Sequence, residues 1–166
     1  MSQTLNKVTV ADEEWISNPE IFRVNRLDAH SDHMYYEDKD AVYGDKMPLR
    51  QSLNGTWKIN YAANLDTSDR EFYKEDRDAT LYDDIKVPGH MELQGFGRCQ
   101  YINTMYPWEG SEDLRPPHIP REDAPVGCYV RYFDINPELA GKRTFISFQG
   151  VENAFYLWIN GQFVGY

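Results

Sequence analysis

Basic residues are scarce. Seventeen Lys and Arg stand against 27 Asp and Glu, a formal net charge of −10. A surface of that sign offers no attraction to nucleic acid or to an anionic membrane. A neutral ligand such as a sugar needs no net field, so the charge leaves carbohydrate open. Cysteine is nearly absent, with only Cys99 and Cys128. That density excludes a disulfide scaffold and reads as two free thiols in a reduced compartment. No apolar run reaches the length of a membrane span, and MSQTLNKVTVADEEW lacks the apolar core of a signal peptide. The chain reads as soluble and cytoplasmic. There is no G-x-S-x-G, neither cysteine has a histidine beside it, and Gly95-x-Gly97 lacks the third glycine of a dinucleotide loop. Nucleophilic catalysis and nucleotide binding therefore have no sequence support.

Aromatic residues, by contrast, are abundant, with 12 Tyr, 8 Phe and 4 Trp in 166 residues. Rings in that number suit a β-rich domain whose sheets they fill between. SLNGTWKINY combines the Asn54-Gly55 turn signal with the alternation Trp57, Ile59, Tyr61 and predicts a half-buried strand. Leu81 to Val87 leads into another. GCYVRYFDI (127–135), RTFISFQG (143–150) and AFYLWING (154–161) follow as expected strands. Asn160-Gly161 is the best hairpin turn in the chain, and Phe163-Val164 starts the return. Residues 1–17 are expected to be frayed or extended, and 18–50 read as an extended arm on a surface. Thr67 or Ser68 is placed to cap a short helix in 66–77, with Glu71 three residues after Ser68. The expected architecture is all-β, a jelly-roll-like sandwich over 51–166 preceded by an extended N-terminal arm over 1–50.

The most unusual stretch is Val87–Gly110, VPGHMELQGFGRCQYINTMYPWEG, with four glycines and two prolines among aromatic and amide side chains. Its apolar residues argue for an ordered loop, and an ordered loop of this length usually carries function. Asn103 is its leading polar group. An Asn amide donates and accepts at once, which matches vicinal sugar hydroxyls, but an Asn also closes its own loop through an Asx turn. The residues alone leave both readings open. Trp108 is a weaker stacking platform, since a tryptophan in a β domain usually belongs to the core. Residues 111–125, rich in proline and charge, read as a second ordered loop.

Other chemistry is thinly supported. Glycoside hydrolysis needs two carboxylates, and the many Asp and Glu here fall in exposed runs such as Asp38–Asp40 and Glu71–Asp78. His30 and His33 form H-x-x-H near Asp28 and Asp32, but the segment looks irregular, and imidazoles bonded to loop carbonyls are the simpler reading. His90 and His118 stand alone.

Four stretches in order carry a family resemblance. NPEIFRVNRLDAHS (18–31), SLNGTWKINY (52–61), the Y-x-N-x-x-Y-P of 101–107 and FQGVENAFYLWINGQFVGY (148–166) resemble the N-terminal sugar-binding domain of the β-galactosidases of glycoside hydrolase family 2. The resemblance spans about Asn18 to Tyr166. It implies a jelly-roll β-sandwich that continues after Tyr166, so the sandwich is expected to be incomplete, with an open edge. It implies that the complete enzyme hydrolyses terminal β-D-galactosyl residues, as in lactose, with retention. Both catalytic glutamates, and any Mg²⁺ or Na⁺ site, would then lie beyond this chain, and the chain alone would be inactive. It assigns substrate contact to Asn103, with Thr104 as a weaker neighbour. The implied partners are the remaining domains of the polypeptide, a β-galactoside and further copies in a homo-oligomer. The competing expectations are a free-standing carbohydrate-binding module, and a structural subunit-contact domain of a related β-glucuronidase or β-mannosidase.

Overall fold

A computed structural model describes residues 7–31, 34–44, 47–99, 101, 103, 108–110 and 112–166. Strand β1 (Gly55–Ala62) begins at the predicted turn, where Gly55 takes a φ of 129°. It is central, flanked by β2 (Asp83–Val87) and β3 (Val126–Val130), both antiparallel to it. The register pairs Trp57 with Ile85 and Asn60 with Cys128. Strand alternation turns Trp57, Ile59 and Ile85 to one face. Ile59 is fully buried there, and Ile85 is 1% exposed. The other face buries Ala62 and Cys128. Lys58 projects on that side, donating to the Tyr82 carbonyl at 3.1 Å and pairing with Asp84 at 2.8 Å.

A second, two-stranded sheet joins β4 (Leu157–Ile159) to β5 (Gln162–Gly165). Asn160 and Gly161 make the turn with φ of 47° and 70°. Two positive φ values are what a type I′ hairpin turn requires, so the Asn-Gly signal is borne out. The hairpin is covered by rings from distant segments. Trp15 lies against Tyr156, Phe163 and Tyr166, with centroids 5.7–6.0 Å apart. Tyr73 stacks on Trp158 at 4.7 Å, and Phe72 meets the same indole edge-on at 5.5 Å.

The fold is thus mostly β, antiparallel and poor in helix, as the sequence predicts. Four local expectations are corrected. Residues 66–77 form successive tight turns rather than a helix. The side chains of Asn64 and Asp69 accept from the Thr67 and Glu71 amides at 3.0 Å, and Ser68 donates backward to the Leu65 carbonyl at 2.7 Å. Such local bonds compete with a helical ladder. Residues 131–135 lie outside the ladder that ends β3, and the Arg131 guanidinium takes the Thr56 carbonyl instead. Residues 143–150 and 154–156 join no ladder among the described residues. Their alternation describes a capacity to pair, and pairing needs a partner. Finally, Glu13–Ser17 is an ordered 3-10 turn, with the Asp12 carboxylate accepting from the Glu14 amide at 3.0 Å. Trp15 anchors this turn on the hairpin, and Val24 exchanges two backbone hydrogen bonds with Tyr166, at 2.9 and 3.1 Å.

Candidate functional site

The loop that follows β2 is fastened at its root by one amide. The Lys86 N–H donates to Gln94 Oε1 at 2.8 Å, and Gln94 Nε2 donates back to the Lys86 carbonyl at 3.0 Å and to the His90 carbonyl at 3.3 Å. Gln94 thereby occupies the outer edge of β2 as a neighbouring strand would, and blocks edge-to-edge pairing there. Further on, Phe96 meets Tyr61 of β1 with ring centroids 6.4 Å apart. Gly97 follows at a φ of 84°, and a Cβ there would stand 3.1 Å from Tyr61 Oη. The positive φ favours glycine, and the tight approach to the Tyr61 hydroxyl leaves little room for a side chain.

Asn103 is exposed on this loop and donates from Nδ2 to Tyr101 Oη at 3.0 Å, a phenol that is itself 87% exposed. The amide is therefore presented outward, with an aromatic hydroxyl beside it. Thr104, the second predicted contact, lies outside the described residues. Trp108 is half-buried, at a φ of 67°, and its indole N–H donates to the Asp123 carbonyl at 2.8 Å. The left-handed region costs a bulky side chain about 1–3 kcal/mol, so the surroundings must fix it there. The half-buried, hydrogen-bonded indole fits the core reading of Trp108 and not that of a stacking platform.

Residues 112–125, the described part of the second expected loop, are gathered by one carboxylate. Glu112 accepts from the backbone amides of Arg121, Glu122 and Asp123 at 3.0, 3.1 and 3.4 Å. Hydrogen bonds from those amides, Arg121 first, hold the Glu112 carboxyl below its ordinary range. Asp78 is also lowered, first by the Thr80 hydroxyl. At Asp69, burial pushes the carboxyl up, but hydrogen bonds from Tyr82, the Glu71 amide and Arg77 outweigh it and leave it lowered. All three shifts run opposite to what a general acid needs.

The remaining candidates resolve simply. His30 Nδ1 lies 2.9 Å from the Asp28 carbonyl, the loop bond expected of it, while Asp32 and His33 lie outside the described residues. Among the described residues, no three His, Cys, Asp or Glu side chains gather to hold a metal ion. Both cysteines are free. Cys128 is buried and its thiol is pushed up to about 11, first by that burial. It is an inert core residue rather than a nucleophile. Among the described residues no helix is long and apolar enough to cross a membrane. Gln94, Glu112 and Asp123 were not foreseen. Each acts across 8 to 15 residues or more, and no local pattern marks them.

Comparison with known proteins points to one family over most of the chain. The family described as "Glycosyl hydrolases family 2, sugar binding domain" matches residues 50–166. A β-galactosidase of Clostridium acetobutylicum is 58% identical over 154 residues, covering 92% of this chain and 17% of that protein. A β-galactosidase of Halalkalibacterium halodurans is 54% identical over 159 residues, 95% of this chain and 16% of that protein. A β-galactosidase large subunit of Leuconostoc lactis is 45% identical over 168 residues, 94% of this chain and 27% of that protein. The chain thus spans between about a sixth and a quarter of the length of these curated relatives.

Proposed function

Since this chain belongs to the glycosyl hydrolases family 2 sugar-binding domain family, we propose that it is the N-terminal domain of a cytoplasmic β-galactosidase. The complete enzyme removes terminal non-reducing β-D-galactosyl units, as from lactose, with retention. The observation that carries this reading is 58% identity, across 92% of the chain, to a protein named β-galactosidase. In retaining hydrolysis one carboxylate attacks the anomeric carbon and another protonates the leaving oxygen. This chain supplies neither group. Any Mg²⁺ or Na⁺ of the complete enzyme is likewise held by residues elsewhere in the polypeptide, and the enzyme works as a homo-oligomer.

What the domain contributes is one wall of the pocket. The Asn103 side chain offers a donor and an acceptor to adjacent sugar hydroxyls, and Thr104, the next residue in the chain, is the weaker candidate contact. Asn103→Ala in the full-length enzyme tests the assignment. One lost hydrogen bond is worth roughly 0.5–1.5 kcal/mol, so kcat/KM should fall about two- to tenfold with the melting temperature unchanged. Unchanged kinetics would remove Asn103 from the site. The 166-residue chain by itself should show no turnover of a chromogenic β-galactoside. Activity that survives purification and vanishes with one of its own Asp or Glu would overturn the reading. Galactose or lactose binding to the isolated chain would instead mark a self-sufficient binding module.

A further inference from the structure

Two residues that flank Asn103 in sequence, Arg98 and Trp108, are both fastened to Asp123. On the near side, the Arg98 guanidinium pairs with the Asp123 carboxylate. On the far side, the Trp108 indole N–H donates 2.8 Å to the carbonyl of the same Asp123. Asn103 stands midway, five residues from each anchor. Asp123 is itself fixed, because its amide is one of the three that converge on the Glu112 carboxylate. Its side chain is 29% exposed, against 71% for Arg98, so the carboxylate is the seated partner and the arginine comes to it. The left-handed backbone of Trp108 fits the same picture, since that turn aims the indole at Asp123.

We propose that Asp123 is a positioning residue for Asn103: it ties residues 98 and 108 to one point and so holds the Asn103 amide where substrate meets it. The inference rests on the reading of Asn103 as a sugar contact. Its physical basis is loop entropy. A loop whose two ends are fixed has fewer conformations to lose when its middle residue must be held in place. A contact that is held in advance gives more of its energy to the substrate. Asp123 touches no reacting atom, so its effect must pass through Asn103.

That dependence is the test. In the full-length enzyme, Arg98→Met and Asp123→Asn each break the ion pair, while Asp123→Asn leaves the carbonyl that Trp108 uses. Exposed pairs are modest, so each change should lower kcat/KM for a nitrophenyl β-galactoside by about two- to fivefold, with an unchanged melting temperature. Made again in the Asn103→Ala background, either change should have no further effect. The swapped pair, Arg98→Asp with Asp123→Arg, should recover most of the loss. Losses that persist in the Asn103→Ala background, or that follow a fall in melting temperature, would overturn the proposal. An impaired Asn103→Ala enzyme beside an unimpaired Arg98→Met enzyme would sink the tether alone. If Asn103→Ala itself had normal kinetics, the sugar-contact reading would fall and take the tether with it.

Discussion

The three-stranded sheet and the β4–β5 hairpin are both antiparallel, but they are held by different means. The sheet is held from within. β1 is paired on both sides, and branched aliphatic side chains, Ile59 and Ile85, fill its buried face. The hairpin has one ladder, three and four residues long, and only Phe163 among its side chains is a buried apolar one. It is held from outside, by Trp15 from the arm and by Phe72 and Tyr73 from the turn segment. A two-stranded ribbon alone is marginal in water, so such external cover is required. The lesson is that a regular element can owe its stability to irregular segments far away in sequence.

The sharpest way to break the comparison is to remove one residue of each kind. Ile59→Ala leaves a cavity in a site with no exposure, and should cost about 2–5 kcal/mol, read by denaturant unfolding. Trp15→Ala removes a half-buried ring that touches three others. Scaling the cost of a buried ring down for that exposure gives about 1–3 kcal/mol. The two variants should also differ in where they act. Trp15→Ala should expose residues 7–17 and the hairpin to protease and hydrogen exchange and leave the sheet amides protected. Equal loss of protection in both regions would show one cooperative unit instead of two differently held ones.

Asp69 connects the two regions. Its carboxylate accepts from Tyr82 at 2.5 Å and from Arg77 Nε at 2.7 Å, and its carbonyl accepts from Cys128 Sγ at 3.6 Å. Three residues on, Phe72 reaches the hairpin indole. Because the folded carboxyl titrates below its ordinary value of 3.8, its contribution is fully present above about that pH. It is lost as the pH falls through the lowered folded value. Asp69→Asn should therefore destabilise the protein at neutral pH, by about 1–3 kcal/mol for broken charged hydrogen bonds to a buried hydroxyl. The gap to the unmodified protein should close in acid, below about pH 4. A pH-independent difference in melting temperature would mean that the carboxylate charge is not what anchors this turn.

The same contrast explains what was legible in the sequence. The Trp57, Ile59, Tyr61 alternation and the Asn160-Gly161 turn are local, and both became the expected elements. The capping pattern at Ser68 and Glu71 is local too, but Asn64 and Asp69 supply rival bonds at the same range. The alternation of 143–150 records a tendency that no described partner satisfies, and Phe145 remains 58% exposed. At the candidate site, a resemblance of motif singles out Asn103. It does not single out Arg98, Glu112 and Asp123, which are ordinary surface residues until the chain brings them together.

The smallest predicted effect decides how far the hairpin depends on its neighbours. Gly161 has a φ of 70°, where any side chain is strained. A Cβ there would meet Glu75 Cγ at 3.6 Å, an ordinary contact, so Gly161→Ala tests backbone conformation with little steric interference. The left-handed region costs an L-residue roughly 1 kcal/mol. If the turn sets the register, Gly161→Ala should lower stability by about that amount, and Trp158 should still face Phe163 across the ladder. The check is the unfolding midpoint, together with the cross-strand contacts between Trp158 and Phe163 seen by NMR. A full loss of 1 kcal/mol with those contacts intact makes the turn an independent contributor, added to the rings around it. No loss at all would mean that Trp15, Phe72 and Tyr73 fix the hairpin and that the Asn-Gly turn only follows them.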